Sequence, residues 1–190
     1  MRLFYLAALL SAAFQAQAQW QLDNTASDLT FLTTKNSHVT ETSHFKQLSG
    51  QFDGKRATLE VDLTSLDSLI PIRNERMLKF LFEAEQFPKA VITVDVDADT
   101  LKALQQTAQL RTELDAQISL HGQTKALKAK VLASVNSNGD ISIVTTQPVL
   151  IQAADFLLAD GIRQLQDIAK LQAISHTVPV SFALTYAKQK

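Results

Sequence analysis

The chain has 190 residues, 18 Lys and Arg against 19 Asp and Glu, a formal net charge of −1 and no cysteine. That length suits one domain with a sizeable core and no disulfides, and the missing thiols remove cysteine nucleophiles, thiolate metal sites and thiol redox chemistry. The near-balanced charge, without a long run of one sign, supplies no basic field for nucleic acid.

The first element reads as a targeting segment. Arg2 precedes an apolar run, Leu3 to Phe14, and Ala16-Gln17-Ala18 then offers small residues to both pockets of a signal peptidase. Twelve residues are too few for a membrane span, which takes about 20. The expectation is a signal peptide over residues 1–18, cleaved after Ala18, and a domain over residues 19–190 in the periplasm. No Cys follows the apolar run, so a lipid-anchored precursor of the bacterial type is not expected, and no later segment is apolar for long enough to cross a membrane as a helix.

Leu29, Phe31 and Thr33 share one face of a strand, and the polar stretch from Asn36 to Ser43 reads as a loop. Phe45 and Phe52 flank Gly50, with Gly54 close behind, which predicts two short strands joined or bent at glycines. Leu59, Val61 and Leu63 alternate with polar residues in a half-buried strand. The period then changes over Ser65–Pro88. Ile72, Met77, Leu78, Leu81 and Phe82 recur as on an amphipathic helix whose other face carries Arg73, Glu75, Arg76 and Lys79. Such an insert between strands is a lid, a plug or ordinary packing.

Strand alternation resumes at Ile92, Val94 and Val96. Leu101, Leu104 and Ala108 predict a short helix capped by Asp99 or Thr100. Leu114 to Leu120 and Leu127 to Val135 are further strands, and Asn136-Ser137-Asn138-Gly139-Asp140 is the strongest turn in the chain, making a hairpin with Ile141–Val144. Pro148–Ala154 is extended, Asp160 is placed to cap a helix through Gln172, and Val178, Val180, Phe182, Leu184 and Tyr186 alternate strictly, with Pro179 on the opposite face. Eight or nine meandering strands with helices near 72–82, 100–108 and 161–172 suit a mostly β, antiparallel barrel of about eight strands. Such an interior is either filled by side chains or holds one small ligand.

Candidate chemistry is sparse. Asp95, Asp97 and Asp99 resemble the start of a calcium loop, but the positions that need Gly and Glu hold Thr100 and Gln106, so the acids read as a solvated face. His38, His44, His121 and His176 lack helical zinc-pair spacing. Five glycines form no phosphate-cradling or dinucleotide fingerprint, and there is no nucleophile elbow. No metal, cofactor or catalytic residue is therefore predicted. Eight of the ten phenylalanines follow residue 18, a surplus that fits a filled core or an elongated apolar cavity equally well.

Taken in order, Trp20-x-Leu22-Asp23, Phe45-x(6)-Phe52-x-Gly54, Val61-x-Leu63-x-Ser65-Leu66, Arg73-Asn74-Glu75-Arg76-Met77-Leu78, Phe82, Phe87-Pro88, Leu120-x-Gly122-x-Thr124 and the strand Val178–Leu184 resemble the YceI-like family of exported bacterial proteins. The resemblance covers essentially all of residues 19–190. It implies an extended lipocalin-like barrel in the periplasm whose long hydrophobic cavity, in characterised relatives, holds a polyisoprenoid or related long-chain lipid, with no settled catalytic activity. Arg73-Asn74-Glu75-Arg76-Met77-Leu78 stands where the family pattern reads Arg-Asp-x-His/Met-Leu, and Leu157–Leu171 carries a longer helical piece than the family's compact turn. Both departures lie where an opening could be shaped.

The resulting expectation is a non-enzymatic carrier or store for a polyisoprenoid, isoprenoid quinone or similar lipid. Phe31, Phe45, Phe52, Leu63, Ile72, Met77, Phe82 and Ile92 are its candidate lining, and Arg73, Arg76 and His176 its candidate rim. Met77, Leu78 and Phe82 are expected to face the interior near one end. Two alternatives remain at this stage: an envelope stress factor or enzyme acting on a small apolar or quinone-like molecule, with His121 or His176 at the mouth, and a packed barrel that binds a protein partner. A homodimer through an edge strand is compatible with all three.

Overall fold

The computed structural model describes residues 19–189. The expected signal peptide lies outside the described residues. Twelve strands and three α-helices follow in the order β1 (Trp20–Leu22), β2 (Asp28–Lys35), β3 (Val39–Phe45), β4 (Leu48–Phe52), β5 (Arg56–Asp62), β6 (Leu66–Asp67), α1 (Pro71–Phe80), β7 (Lys89–Asp95), α2 (Ala98–Thr107), β8 (Gln109–Leu120), β9 (Gln123–Val135), β10 (Ile141–Thr145), β11 (Val149–Gln152), α3 (Ala159–Ala169) and β12 (Thr177–Lys188).

Eight of these strands close a ring, β1-β4-β5-β7-β8-β9-β10-β12 and back to β1. The fold is thus the mostly β, lipocalin-like antiparallel barrel that the alternation suggested. The ring is lengthened by a second tier. β12 is long enough to serve both: its Ala183–Lys188 half pairs with β10 and β1, while its Thr177–Ala183 half pairs with β11 on one side and β2 on the other. β3 pairs with β2, and β6 with β3, so β2, β3 and β6 continue the wall upward. Inward and outward residues alternate along each strand, which puts Leu29 and Phe31, Leu59 and Val61, Leu184 and Tyr186 inside.

The longest hairpin is β8–β9, in register from Gln109↔Ser134 to Leu120↔Gln123. Its two-residue turn, His121-Gly122, has both φ angles positive, at 50° and 72°, the primed geometry that matches strand twist. β9 is only half used on its other edge. It pairs with β10 over Val131–Val135, and the last link is the Lys130 carbonyl, which accepts from the Thr146 amide at 2.9 Å and its hydroxyl at 3.1 Å. Beyond it, residues 123–129 of β9 lie beside β11 with no strand pairing on this edge among the described residues, which leaves an unpaired seam in the wall.

The helices sit at the two ends. α2 follows β7 and closes one end, with Leu104 buried. Its N-cap is Asp97, whose carboxylate accepts from the Thr100 amide at 2.7 Å, rather than the expected Asp99 or Thr100. α1 and α3 pack together at the other end. Gly161 makes this possible, since a Cβ there would lie 2.4 Å from the Phe80 carbonyl oxygen and 2.8 Å from the Leu81 Cα. α3 begins at Ala159, so Asp160 sits in its first turn and pairs with Arg163 instead of capping it. Its carboxylate still faces the positive helix N-terminus.

One segment departs from its expectation outright. Most of Asn36–Ser43, read as a loop, belongs to β3, and the loop is only the three residues between β2 and β3. The residues that share the inward face with Phe45 are Ser43, Glu41 and Val39, so the apolar alternation that marks a strand is missing.

Candidate functional site

The barrel is hollow. A cavity of about 530 Å³ runs through it, walled almost entirely by apolar side chains. Inward-facing residues such as Ile92, Val94, Leu114, Val178 and Val180 remain half-exposed because they face this space rather than packed atoms. Lining residues extend along β8 from Leu110 to Leu120. At about 3.3 Å per residue and a strand tilt near 40°, that is roughly 25 Å along the axis.

The closed end is built by the ring and α2. Trp20 and Phe52 meet there with ring centroids 5.1 Å apart, and the indole N–H donates to the Gly139 carbonyl at 2.7 Å. The buried Tyr186 hydroxyl donates to the Thr58 carbonyl at 2.8 Å, and burial raises its pKa well above the ordinary phenol value. Both polar tips are thus satisfied while their rings bound the cavity or support its floor.

An aromatic ladder leads toward the other end. Phe31 stacks on Phe45 at 5.3 Å, and Phe45 meets the edge of Phe82 at 5.9 Å. All eight residues selected from the sequence line the cavity: Phe31, Phe45, Phe82, Leu63, Met77 and Ile92 along its length, Phe52 at the floor and Ile72 at the mouth. Leu78 does not line it and packs against the core behind Met77. His176 is no rim residue either. It is exposed at the bend before β12, where the Ser175 hydroxyl bonds the Thr177 amide and carbonyl. That turn breaks the alternation from which His176 was placed beside Val178, and Ser175 takes the lining position instead.

The mouth lies between α1, the C-terminal end of α3 and the β2–β3 tip. That tip is pinned by Asn36, whose amide donates to the Ala173 carbonyl at 2.9 Å and whose side-chain oxygen accepts from the Gln172 amide at 2.9 Å. Across it, Arg73 makes a two-pronged pair with Glu41, at 2.8 and 3.1 Å, and Lys35 pairs with the same carboxylate. The bond to Lys35 above all, opposed by burial and aided by Arg73, holds the Glu41 carboxyl below its ordinary pKa of 4.5. Arg76 also lines the mouth and forms no ion pair among the described residues. Three cations and one carboxylate therefore stand at the only strongly polar end of an apolar tube. Lys35, Glu41 and the α3 residues Leu165 and Ile168 were not foreseen. Glu41 was hidden in the stretch read as a loop, and Leu165 and Ile168 were read as apolar residues of a helix but not as cavity lining.

The second opening is the seam beside β9. Lys128 points outward to Glu113 and Asp115, at 3.0 Å each, yet its residue borders the cavity, as do Leu127 and Ala129 on one side and Val149 and Ile151 on the other. The seam ends where His121 Nδ1 lies 3.2 Å from the Phe156 carbonyl oxygen, with the His121 ring against Phe87 at 4.6 Å. His121 therefore braces the outside of the barrel and does not line its interior. Among the described residues, no cluster of His, Asp and Glu could hold a metal ion, and no helix is long and apolar enough to cross a membrane.

Comparison with known proteins agrees with this geometry. A model of the YceI-like domain matches residues 20–186. A polyisoprenoid-binding domain from Saccharophagus degradans, implicated in plant cell wall breakdown, is 35% identical and superposes with a TM-score of 0.84, covering 91% of this chain and 100% of that one. BcnA of Burkholderia cenocepacia (18% identity, TM-score 0.62, 86% of this chain and 98% of that one) and the YceI protein of Campylobacter jejuni (15%, 0.53, 78% and 84%) share the fold. No curated protein matches the chain.

Proposed function

This chain belongs to the YceI-like family, and on that premise we propose that it is an exported, periplasmic binding protein that holds one polyisoprenoid, isoprenoid quinone or similar long-chain lipid inside its barrel, as carrier or store. The observation that carries the proposal is the cavity: hollow, elongated and mostly apolar, with its charged groups gathered at one end apart from Lys128, which turns outward at the seam. Its volume of about 530 Å³ falls within the roughly 300–1,000 Å³ of small-molecule sites. A hydrocarbon chain has no hydrogen bonds to offer, so its affinity comes from apolar surface removed from water, about 0.8 kcal/mol for each buried methylene. A tube of roughly 25 Å accepts several isoprene units in line. The polar end of such a molecule, whether hydroxyl, quinone or phosphate, would then rest among Lys35, Arg73 and Arg76. The share of identity with a polyisoprenoid-binding domain supports this ligand class.

The role is binding rather than catalysis. His121 and His176, the candidates for an enzyme site, lie outside the cavity, and the mouth groups are fixed cations and a paired carboxylate with no acid–base couple among them. Native mass spectrometry of the protein isolated from its own host should show a bound lipid mass that is lost on denaturation, and the emptied barrel should take up a long polyprenyl alcohol at one equivalent. A bare polypeptide mass, together with no uptake of the alcohol, would refute the proposal. N-terminal sequencing of the exported protein should begin at Gln19.

A further inference from the structure

The lip of the mouth carries a feature that lipid storage alone does not require. Leu69, Ile70, Pro71 and Ile72 are four consecutive apolar residues, and all are exposed: Leu69 by 79%, Ile70 by 42% and Ile72 by 50%, with Pro71 also in solvent. A run of this kind on a water-facing surface is disfavoured unless it has a partner.

The run is also held out rigidly. Leu69 has φ 64°, a left-handed conformation that residues with a Cβ rarely adopt. The Asp67 carboxylate holds it there by accepting from the Leu69 amide at 2.8 Å. The Asn74 side-chain oxygen accepts from both the amide and the hydroxyl of Ser68, at 2.9 and 2.5 Å. Pro71 then starts α1 at a position that needs no amide. The loop therefore cannot fold its leucine and isoleucines back onto the core.

We propose that Leu69–Ile72 is a membrane-docking wedge, which seats the mouth of the barrel on an anionic phospholipid surface. Two observations choose a bilayer over other occupants. The first is charge. The wedge and the mouth beside it carry Lys35, Lys46, Arg73, Arg76 and Lys79 against Glu41, Asp67 and Glu75, a local excess of two cations on a chain whose formal net charge is −1. Apolar side chains flanked by cations match the acyl boundary and the anionic headgroups of such a surface. The second is continuity. Ile70 and Ile72 belong to both the wedge and the cavity lining, so an acyl or prenyl chain leaving the bilayer meets apolar surface all the way to the aromatic ladder and never crosses water. Four neighbouring side chains are also few for a protein interface, which takes about 800 Å² from each partner.

The inference rests on the lipid-binding proposal for its purpose, but it is tested with empty protein. Emptied wild-type protein should co-sediment with vesicles of phosphatidylglycerol and phosphatidylethanolamine, and at least tenfold less with vesicles of phosphatidylcholine. The double variant Leu69→Asp, Ile72→Asp should lose at least tenfold in partitioning with an unchanged circular dichroism spectrum. Leu150→Asp, at an equally exposed leucine on the outer face of β11, should leave partitioning unchanged. Arg76→Glu should weaken binding to the anionic vesicles alone. Wild-type protein that stays in the supernatant with both vesicle types, or a double variant that partitions like wild type, overturns the inference. So does a self-association in vesicle-free solution, seen by sedimentation velocity, that Leu69→Asp dissolves, since the wedge would then belong to a second copy. Uptake of a detergent-delivered polyprenyl alcohol reports on the cavity without a bilayer: its failure condemns the lipid-binding proposal, whereas its success beside a failed vesicle assay condemns only the docking.

Discussion

Filling the barrel at its waist tests whether the cavity is the working part. Ala129 on β9 lines the cavity midway along β8–β9, opposite Leu114, and although only 8% exposed it stands outside the packed core cluster. In a close-packed core, an Ala→Phe change at such a position forces off-rotamer side chains and backbone shifts that cost about 1–3 kcal/mol. In a hollow of about 530 Å³ the new ring has room. It trades water for apolar wall, a transfer worth up to about 1.5–3 kcal/mol if burial is complete. The expected result for emptied Ala129→Phe is therefore stability from unchanged to about 2 kcal/mol above wild type. The two pictures differ by about 3 kcal/mol, or about 6–12 °C in melting temperature for a domain of this size. Urea denaturation of the delipidated protein, read from Trp20 fluorescence, measures the difference. The same variant should lose at least tenfold in polyprenyl alcohol retention, because the ring obstructs the tube between floor and mouth. A loss of 2 kcal/mol or more with undiminished lipid retention would show that the position is ordinary core and that the lipid lies elsewhere, and would refute the reasoning.

Two other perturbations probe the mouth. Gly161→Val places side-chain atoms where the Phe80 carbonyl and Leu81 Cα already stand, so it should separate α3 from α1, speed hydrogen exchange in both helices by tenfold or more and accelerate lipid loss, with little change in the amide exchange of β8 and β9. Acid should act on Glu41. Its folded pKa lies below the ordinary 4.5, so its bridge to Lys35 and Arg73 contributes fully above about pH 4.5 and is lost as pH falls through the lower folded value. Amide exchange of α1, compared with Glu41→Gln, should show that acid-dependent loosening in wild type alone; an identical acid response in the variant would remove Glu41 from that role.

The strands whose inward residues are apolar were legible in the sequence, because period-two alternation depends only on one face being dry. β5, β7, β8, β9 and β12 all have that pattern; of the candidate lining, Phe31, Leu63 and Ile92 were read from such alternation, whereas Phe45 and Phe52 rested on apolarity alone and Ile72, Met77 and Phe82 on the helical stretch. β3 was illegible for the same physical reason. Near the mouth its inward residues are Val39, Glu41 and Ser43: Glu41 is held by the ion pairs of the mouth and Ser43 is buried, so two of the three are polar and the alternation is lost. The bridge of Lys35, Glu41 and Arg73 joins β2, β3 and α1 and so exists only after β2 and β3 pair and α1 crosses them. The misplaced caps have a tertiary cause. Asp97, Asp99 and Asp160 are all chemically able caps, and which one serves depends on where tertiary packing starts the helix. Hollowness was equally out of reach, since a filled barrel and an empty one ask for the same alternation.

The ring has a kinetic consequence. It closes by pairing Trp20 with Lys188, so its first and last strands are separated by nearly the whole described chain. Joining such distant segments costs about 4–5 kcal/mol of loop-closure entropy on the logarithmic scaling, before any contact between them repays it. The lining comes from every ring strand except β1, and it is sheltered only when that last pairing forms. Assembly is therefore expected to fall with the slow, non-local β folders, in milliseconds to seconds rather than microseconds. Until β12 arrives, the chain presents open edges and a full set of apolar faces, the state most exposed to aggregation. The rate at which the two ends find each other should then limit the yield of folded protein more than the final stability does.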